Sequence, residues 1–175
     1  MAGKRVLIVG GAGGGIGSAI TRAIVRAGAA GVAVVARDQH RLTAELEGIG
    51  AGPNALVALV ADMRSGEQIA EVVDQAVATF GGLDSLVTAV GGTTRYTPLR
   101  LAHDFDDEAW DSIFDVNLRY IARLLRAAIP VFRSQGTGGH DCVCGVHGGD
   151  VVESCHGALR SRQGRATASC THGCG

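Results

Sequence analysis

Residues 1 to 139 contain no cysteine, and the whole 175-residue chain contains one lysine, Lys4. A cysteine-free stretch of that length excludes a disulfide framework or a thiolate metal site as what holds it together. Charge is in excess of neither sign, at a formal net of -1. That excludes the basic footprint of a nucleic-acid binder, and no nucleic-acid partner is expected. No apolar run approaches the roughly 20 residues of a membrane span. Met1 to Arg5 leads into only four strongly apolar residues, too short a run for a secretory signal. No membrane partner and a cytoplasmic location are therefore expected.

What is present is an apolar, glycine-rich chain. A hydrophobic content of 46%, 27 glycines and a mean hydropathy of +0.21 suit a globular α/β interior rather than disorder, and the length suits a single core. The stretch that organises it is Lys4 to Gly17, KRVLIVGGAGGGIG. Val6 to Val9 reads as a buried strand, and the glycines after it as the turn into a helix. Such a loop can cradle a phosphate: glycine lets the backbone come close, and the N–H groups of the first helical turn favour negative charge. A flexible turn would show the same cluster.

The common dinucleotide spacing Gly-x-Gly-x-x-Gly fits no register here. Gly11, three residues, Gly15, Ile16 and Gly17 do fit the Thr-Gly-x-x-x-Gly-Ile-Gly loop, and in this the chain resembles the short-chain dehydrogenase/reductase family. Gly10 stands in the threonine place. The resemblance implies a Rossmann-like, doubly wound parallel sheet with first strands in order 3-2-1-4. It also implies hydride transfer between NAD(P) and a small-molecule alcohol or carbonyl, and homo-oligomers. Gly11, Gly13, Gly14, Gly15, Ile16 and Gly17 become its cofactor loop.

Further along, Ile16 to Ala27 carries a helical apolar stripe closed by Gly28, and Val32 to Ala36 is a second buried strand. Strand, helix and strand in this order make a right-handed βαβ unit with its ligand at the end of the first strand. Cofactor choice is written just beyond the second strand. Arg37 sits where NADP-preferring relatives carry arginine, a cation that pairs with the 2′-phosphate. Asp38, the rival, could hold the ribose hydroxyls of NAD. NADP is favoured, NAD remains open, and a solvated pair at a helix start would read the same way.

Gln39 to Ile49 is a second helix and Ala55 to Ala61 a third strand. The resemblance carries Asp62, with Met63, over as an adenine-side contact. A helix cap would look identical, and Ser65 competes for that role. Gly66 to Phe80 is a helix stopped by Gly81-Gly82, and Leu83 to Val90 is the fourth strand. Relatives end this strand in Asn-Asn-Ala-Gly, whereas here the places read Thr88, Ala89, Val90 and Gly91. The glycine that lets the cofactor pass remains; the asparagines do not. Glu108 to about Phe132 reads as one long helix. Within it DVNLRYIARLL resembles the family segment whose asparagine, here Asn117, kinks the helix and holds a proton-relay water. A backbone hydrogen bond alone would also place a polar residue there.

The resemblance covers roughly residues 4 to 138, read as a nucleotide-binding domain over 1–138. A catalytic serine and Tyr-x-x-x-Lys should follow, because the lysine lowers the tyrosine pKa and the tyrosine exchanges a proton with the substrate oxygen. Neither Tyr96 nor Tyr120 has a lysine four residues on. The fold is thus expected to be truncated after the fourth strand and long helix, leaving an inactive or purely nucleotide-binding, poorly soluble chain. Residues 139–175 hold all five cysteines and four of the six histidines and read as an irregular tail. Cys142-x-Cys144 with His147, or Cys170-x-His172-x-Cys174, offers soft ligands without the separations of structural zinc sites, so no metal is expected. A one-base frameshift explains more. Codons permitted for Val146, Leu159 and Gln163 then yield serine, tyrosine and lysine in the family's order, with the four-residue step from tyrosine to lysine.

Overall fold

The computed structural model describes residues 1–49, 55–92, 101–136, 140–147 and 150–156. Its core is a parallel sheet. Strand β1 (Arg5–Val9) lies between β2 (Gly31–Ala36) and β4 (Ser85–Thr88), and β3 (Ala55–Val60) flanks β2. The order β3-β2-β1-β4 is the expected one. Helices α1 (Gly15–Arg26), α2 (Gln39–Ile49) and α3 (Gly66–Phe80) are the crossovers.

Alternation along β1 decides which helix covers which face. Val6 and Ile8 pack with Ile24 of α1 and Leu42 of α2, whereas Leu7 and Val9 pack with Ile69, Val72 and Val73 of α3. A strand buried at every position from Val6 to Val9 must be covered on both faces, which is why β1 reads as a continuous apolar run there. Full burial of Leu7 or Ile8 contributes about 1.5–3 kcal/mol each.

The glycine stops act where they were expected. Gly28 follows α1 at φ 78°, and Gly81 caps α3 at φ 71° with its N–H donating to Val77 O. Ser65, not Asp62, caps the start of α3, its hydroxyl accepting from Gln68 N at 3.3 Å. The long helix divides into α4 (Asp107–Phe114), a π turn at Asp115–Arg119 and α5 (Tyr120–Ser134). Asp106 caps α4, accepting from Ala109 N at 2.8 Å.

Beyond α5 the sequence predicts no packed element, and here the backbone differs. Strand β5 (His140–His147) pairs parallel with β4, from Ser85 opposite His140 to Thr88 opposite Val143, and β6 (Asp150–His156) pairs antiparallel with β5. An open sheet edge offers a row of unpaired backbone groups that any non-proline segment can meet, whatever its side-chain pattern. Apolar periodicity signals a buried face; it is not needed for the ladder. The remainder of 139–175, and Tyr96, lie outside the described residues.

Candidate functional site: a cleft at the carboxyl edge of the sheet

The carboxyl ends of β1, β2, β3 and β4 open on one cleft of about 760 Å³, where a ligand meets an open α/β sheet. Its floor is the loop from β1 to α1. Gly10 N donates to Val35 O and Ala89 N to Val9 O, both at 2.8 Å, so the loop starts from a point clamped by both neighbouring strands. Gly13, Gly14 and Gly15 then run at φ 103°, 84° and 75°, a succession that side chains resist. A Cβ on any of these three would meet nothing within 4 Å. Space lies above the backbone there, and the conformation is what demands glycine.

Gly17 is glycine for the opposite reason, because a Cβ on it would collide with the carbonyl oxygen of Gly10. Gly11 is closed in as well, its would-be Cβ 2.6 Å from Thr21 Oγ1 and 2.8 Å from Ile8 and Val34 side-chain carbons. The Thr21 hydroxyl, 2.8 Å from Gly11 O and 3.0 Å from Gly17 O, ties the loop to α1. Gly14 N donates to Ser18 Oγ at 2.9 Å. The first N–H groups of a helix have no acceptor within it, and Gly15, Ile16 and Gly17 line the cleft. Gly10, in the family's threonine place, sits at φ 81° with Val90 Cγ2 only 2.7 Å from a would-be Cβ. Val90, in a place where relatives carry alanine, fills that space.

Arg37 and Asp38, just past β2, line one end of the cleft together with Arg41, and Asp62, Met63 and Arg64 follow from β3. Asp38 accepts from Arg41 N at 3.1 Å, and that backbone bond holds its carboxyl below the ordinary range. The Asp62 carboxyl is lowered too, first by the side-chain hydrogen bonds of Arg64. Met63 is 6% exposed and serves as apolar wall.

At the other end stand Ala89, Val90, Gly91 and Val116. Asn117 lies in the π turn, with Oδ1 accepting from Gly92 N at 2.9 Å and Nδ2 donating to Gly92 O at 3.0 Å and Ile113 O at 2.8 Å. A Cβ on Gly91 would stand 3.0 Å from Asn117 Oδ1, so Gly91 is what lets the amide approach. The predicted site residues are thus brought to a single edge, Gly11 and Asn117 as supports and the rest as lining. Not singled out from sequence were Ala12, Arg41, Arg64, Val90 and Val116. Arg41, four residues after Arg37, and Arg64, two after Asp62, were legible as additional charge at two strand ends.

A nicotinamide dinucleotide suits this donor set, with a glycine cradle in the middle, cations at the β2–β3 end and a smooth apolar wall at the β4 end. Among the described residues no group of three or more His, Cys, Asp or Glu could hold a metal ion, and no helix is long and apolar enough to cross a membrane. The side chains of Cys142, Cys144 and His147, and all of Cys170 to Cys174, lie outside the described residues.

A curated relative from Mycobacterium tuberculosis, (5R,7aS)-5-hydroxy-7a-methyl-1-oxo-2,3,5,6,7,7a-hexahydro-1H-indene-carboxyl-CoA reductase, is 37% identical over 142 residues, 78% of this chain and 51% of that protein. Among solved structures, 3-ketoacyl-(acyl-carrier-protein) reductase from Brucella melitensis, complexed with NADH, matches with a TM-score of 0.66 at 30% identity. It covers 77% of this chain and 52% of its own. L-sorbose reductase from Gluconobacter frateurii, complexed with NADPH and L-sorbose, matches with a TM-score of 0.69 at 26% identity, over 78% and 50%. The chain spans about half the length of these proteins. A family model described as short chain dehydrogenase matches residues 4–150, twelve residues further than the sequence motifs reach. With the glycine loop, strand order and cleft already in place, that match over most of its length makes this chain a member of the short chain dehydrogenase family, oxidoreductases that bind NAD(P).

Proposed function

We propose that this chain binds a nicotinamide dinucleotide, NADP in preference to NAD, for exchange of a hydride with a small-molecule carbonyl or alcohol. The observation that carries the reading is Arg37 at the end of β2, on the same cleft as the glycine cradle. A guanidinium there can pair with a ribose 2′-phosphate that NAD lacks. Gly11, Gly13, Gly14, Gly15, Ile16 and Gly17 hold the diphosphate. Asp38 accompanies Arg37, Asp62 and Met63 flank the adenosine half, and Gly91 borders the nicotinamide half.

The bound nicotinamide supplies the hydride. The chain's own residues orient it: Val90 and Gly91 form the wall on one side, and Asn117 fixes the backbone at Gly92 beside them. The same turn is the proposed anchor of a proton-relay water. No Tyr-x-x-x-Lys to exchange the substrate's proton occurs in these 175 residues, so binding without turnover is the expected behaviour. NADPH fluorescence titration and a carbonyl-reduction assay on one sample test this. Saturable binding with no NADPH consumption supports the reading, and turnover overturns it.

Residues 139–175 are, in this reading, a shifted translation of the family's usual ending, supported by serine, tyrosine and lysine emerging in register from one permitted frame. The encoding DNA decides. Codons for Val146, Leu159 and Gln163 that do not yield those three residues on a one-base shift end the idea.

A further inference from the structure

We propose that Tyr120 is a positioning residue for the nicotinamide half of the cofactor. Its hydroxyl holds the Val90 carbonyl against α5 and so seats the Val90 side chain over Gly10, where it forms the apolar wall of the cleft. This rests on the nucleotide reading above, and it applies to NAD and NADP alike.

Tyr120 opens α5 and is wholly buried in the apolar cluster of Leu7, Val9, Leu86 and Leu124. Phenylalanine would fill that space with no polar group, and a hydroxyl buried without a partner is costly. Here the hydroxyl is committed. It donates to Val90 O at 2.9 Å, and because a phenol has a single proton, Thr88 Oγ1 is the donor in the bond between the two hydroxyls. The cleft is lined by Ala89, Val90 and Gly91, and neither Tyr120 nor Thr88 reaches it. Tyr120 therefore acts on the cleft through Val90.

What it holds is the point where the chain leaves the sheet. The backbone stays on β1 as far as Ala89, whose N–H donates to Val9 O at 2.8 Å. Val90 and Gly92 are held from the helix instead, Val90 O by Tyr120 and both peptide groups of Gly92 by Asn117. Those two side chains are one turn apart and share a face, at the end of the π turn where Tyr120 N donates to Asp115 O. The Val90 side chain meets the cradle, its Cγ2 standing 2.7 Å from a would-be Cβ on Gly10. With glycine in the family's threonine place and valine in its alanine place, bulk has moved from the loop to the wall. Val90 is thus pinned at its carbonyl by Tyr120 and at its side chain by Gly10, which fixes the spacing between wall and cradle. Thr88 and Ala89 stand where relatives carry asparagines, and the fastening at this strand end comes from the helix.

The test is binding, not turnover. NADPH and 2′-phospho-ADP-ribose, the same molecule without its nicotinamide, are titrated into the full chain and its Y120F, T88V, V90A and Y120F/V90A variants. Should the wild-type chain prefer NADH, NADH and ADP-ribose take their places. Y120F leaves the packed ring and is expected to lose about five- to tenfold in NADPH affinity, with 2′-phospho-ADP-ribose within about twofold. The emission of bound NADPH should move toward that of the free nucleotide. T88V removes a buried hydroxyl too but leaves Tyr120 on Val90 O, and it should keep NADPH within about twofold. V90A should show the same split between the two ligands, and Y120F should add little to it, since both act on one wall. Equal losses of the two ligands in Y120F, no loss in it, or a T88V variant that matches it overturns the positioning role. A wild-type chain that binds NADPH no more tightly than 2′-phospho-ADP-ribose overturns it as well and leaves the nucleotide reading standing. Wild-type chain that binds neither NADPH nor NADH fails both.

Discussion

Asn117 grips the peptide groups of Gly92 on both sides, accepting its N–H at 2.9 Å and donating to its carbonyl at 3.0 Å, while a further bond to Ile113 O at 2.8 Å holds it across its own helix turn. The loop after β4 is thereby fastened to the π turn, and a turn of that type inside a helix often marks a functional position.

Removing that grip leaves two backbone groups at Gly92 without partners. N117A is expected to lose about 1–3 kcal/mol of stability, or roughly 2–10 °C in Tm for a chain of this size, and to bind NADPH more weakly. Thermal melts alongside nucleotide titration check both. An unchanged Tm would place the support of Gly92 elsewhere.

The glycine loop separates two causes that a sequence motif merges. G17A puts a methyl group into the Gly10 carbonyl and should abolish measurable NADPH binding and lower Tm. G13A meets no neighbour and is charged only for its φ of 103°, about 1–2 kcal/mol, so it should fold and bind with reduced affinity. Equal damage from the two would contradict the collision at Gly17.

Arg5 and Asp84 brace the opposite edge of the sheet. Arg5 Nε and N lie 2.7 and 2.9 Å from Asp84 Oδ2, and Arg5 Nη1 donates to Gly81 O. The side-chain hydrogen bond from Arg5 holds the Asp84 carboxyl below its ordinary range. Its stabilisation is therefore fully present above an unfolded carboxyl pKa of about 4 and fades as acidification passes through the lower folded value. D84N should cost about 1–3 kcal/mol at pH 7. In denaturant melts across pH, the gap to wild type should close below about pH 4. A gap independent of pH would rule the charge out as its source.

Tyr120 is wholly buried, with its hydroxyl bonded to Thr88 Oγ1 and donating to Val90 O at 2.9 Å. Y120F and T88V should each cost about 1–2 kcal/mol. Because they remove one shared bond, the double variant should cost less than the two separately. Strict additivity in urea melts would deny the contact.

Much of this was legible in the chain itself. The continuous apolar run Val6 to Val9, the stripe from Ile69 to Phe80 and the stops at Gly28 and Gly81 are local chemistry, and each element formed where its residues called for it. The cleft lining was legible in part. Gly13 and Gly15 follow from position after the first strand, whereas Arg37, Asp62 and Gly91 were singled out through the family resemblance; all five line the cleft because strand ends converge in a parallel sheet. Arg64 was legible only as a charge near a strand end; its pairing with Asp62 was not, since that depends on a side chain folding back. Nor was the choice of Ser65 over Asp62 as cap, which turns on one backbone conformation.

The amino-acid order alone determined a parallel β-α-β core with a glycine loop at its leading strand, because periodicity and backbone freedom are properties of neighbouring residues. It also determined that this chain carries no Tyr-x-x-x-Lys. Only the tertiary structure decided that Gly17 must yield to the carbonyl of Gly10, that Asn117 is spent on Gly92, and that β5 pairs with the β4 edge and β6 with β5. Those depend on groups far apart in the chain, and on backbone hydrogen bonds that side-chain patterns do not encode.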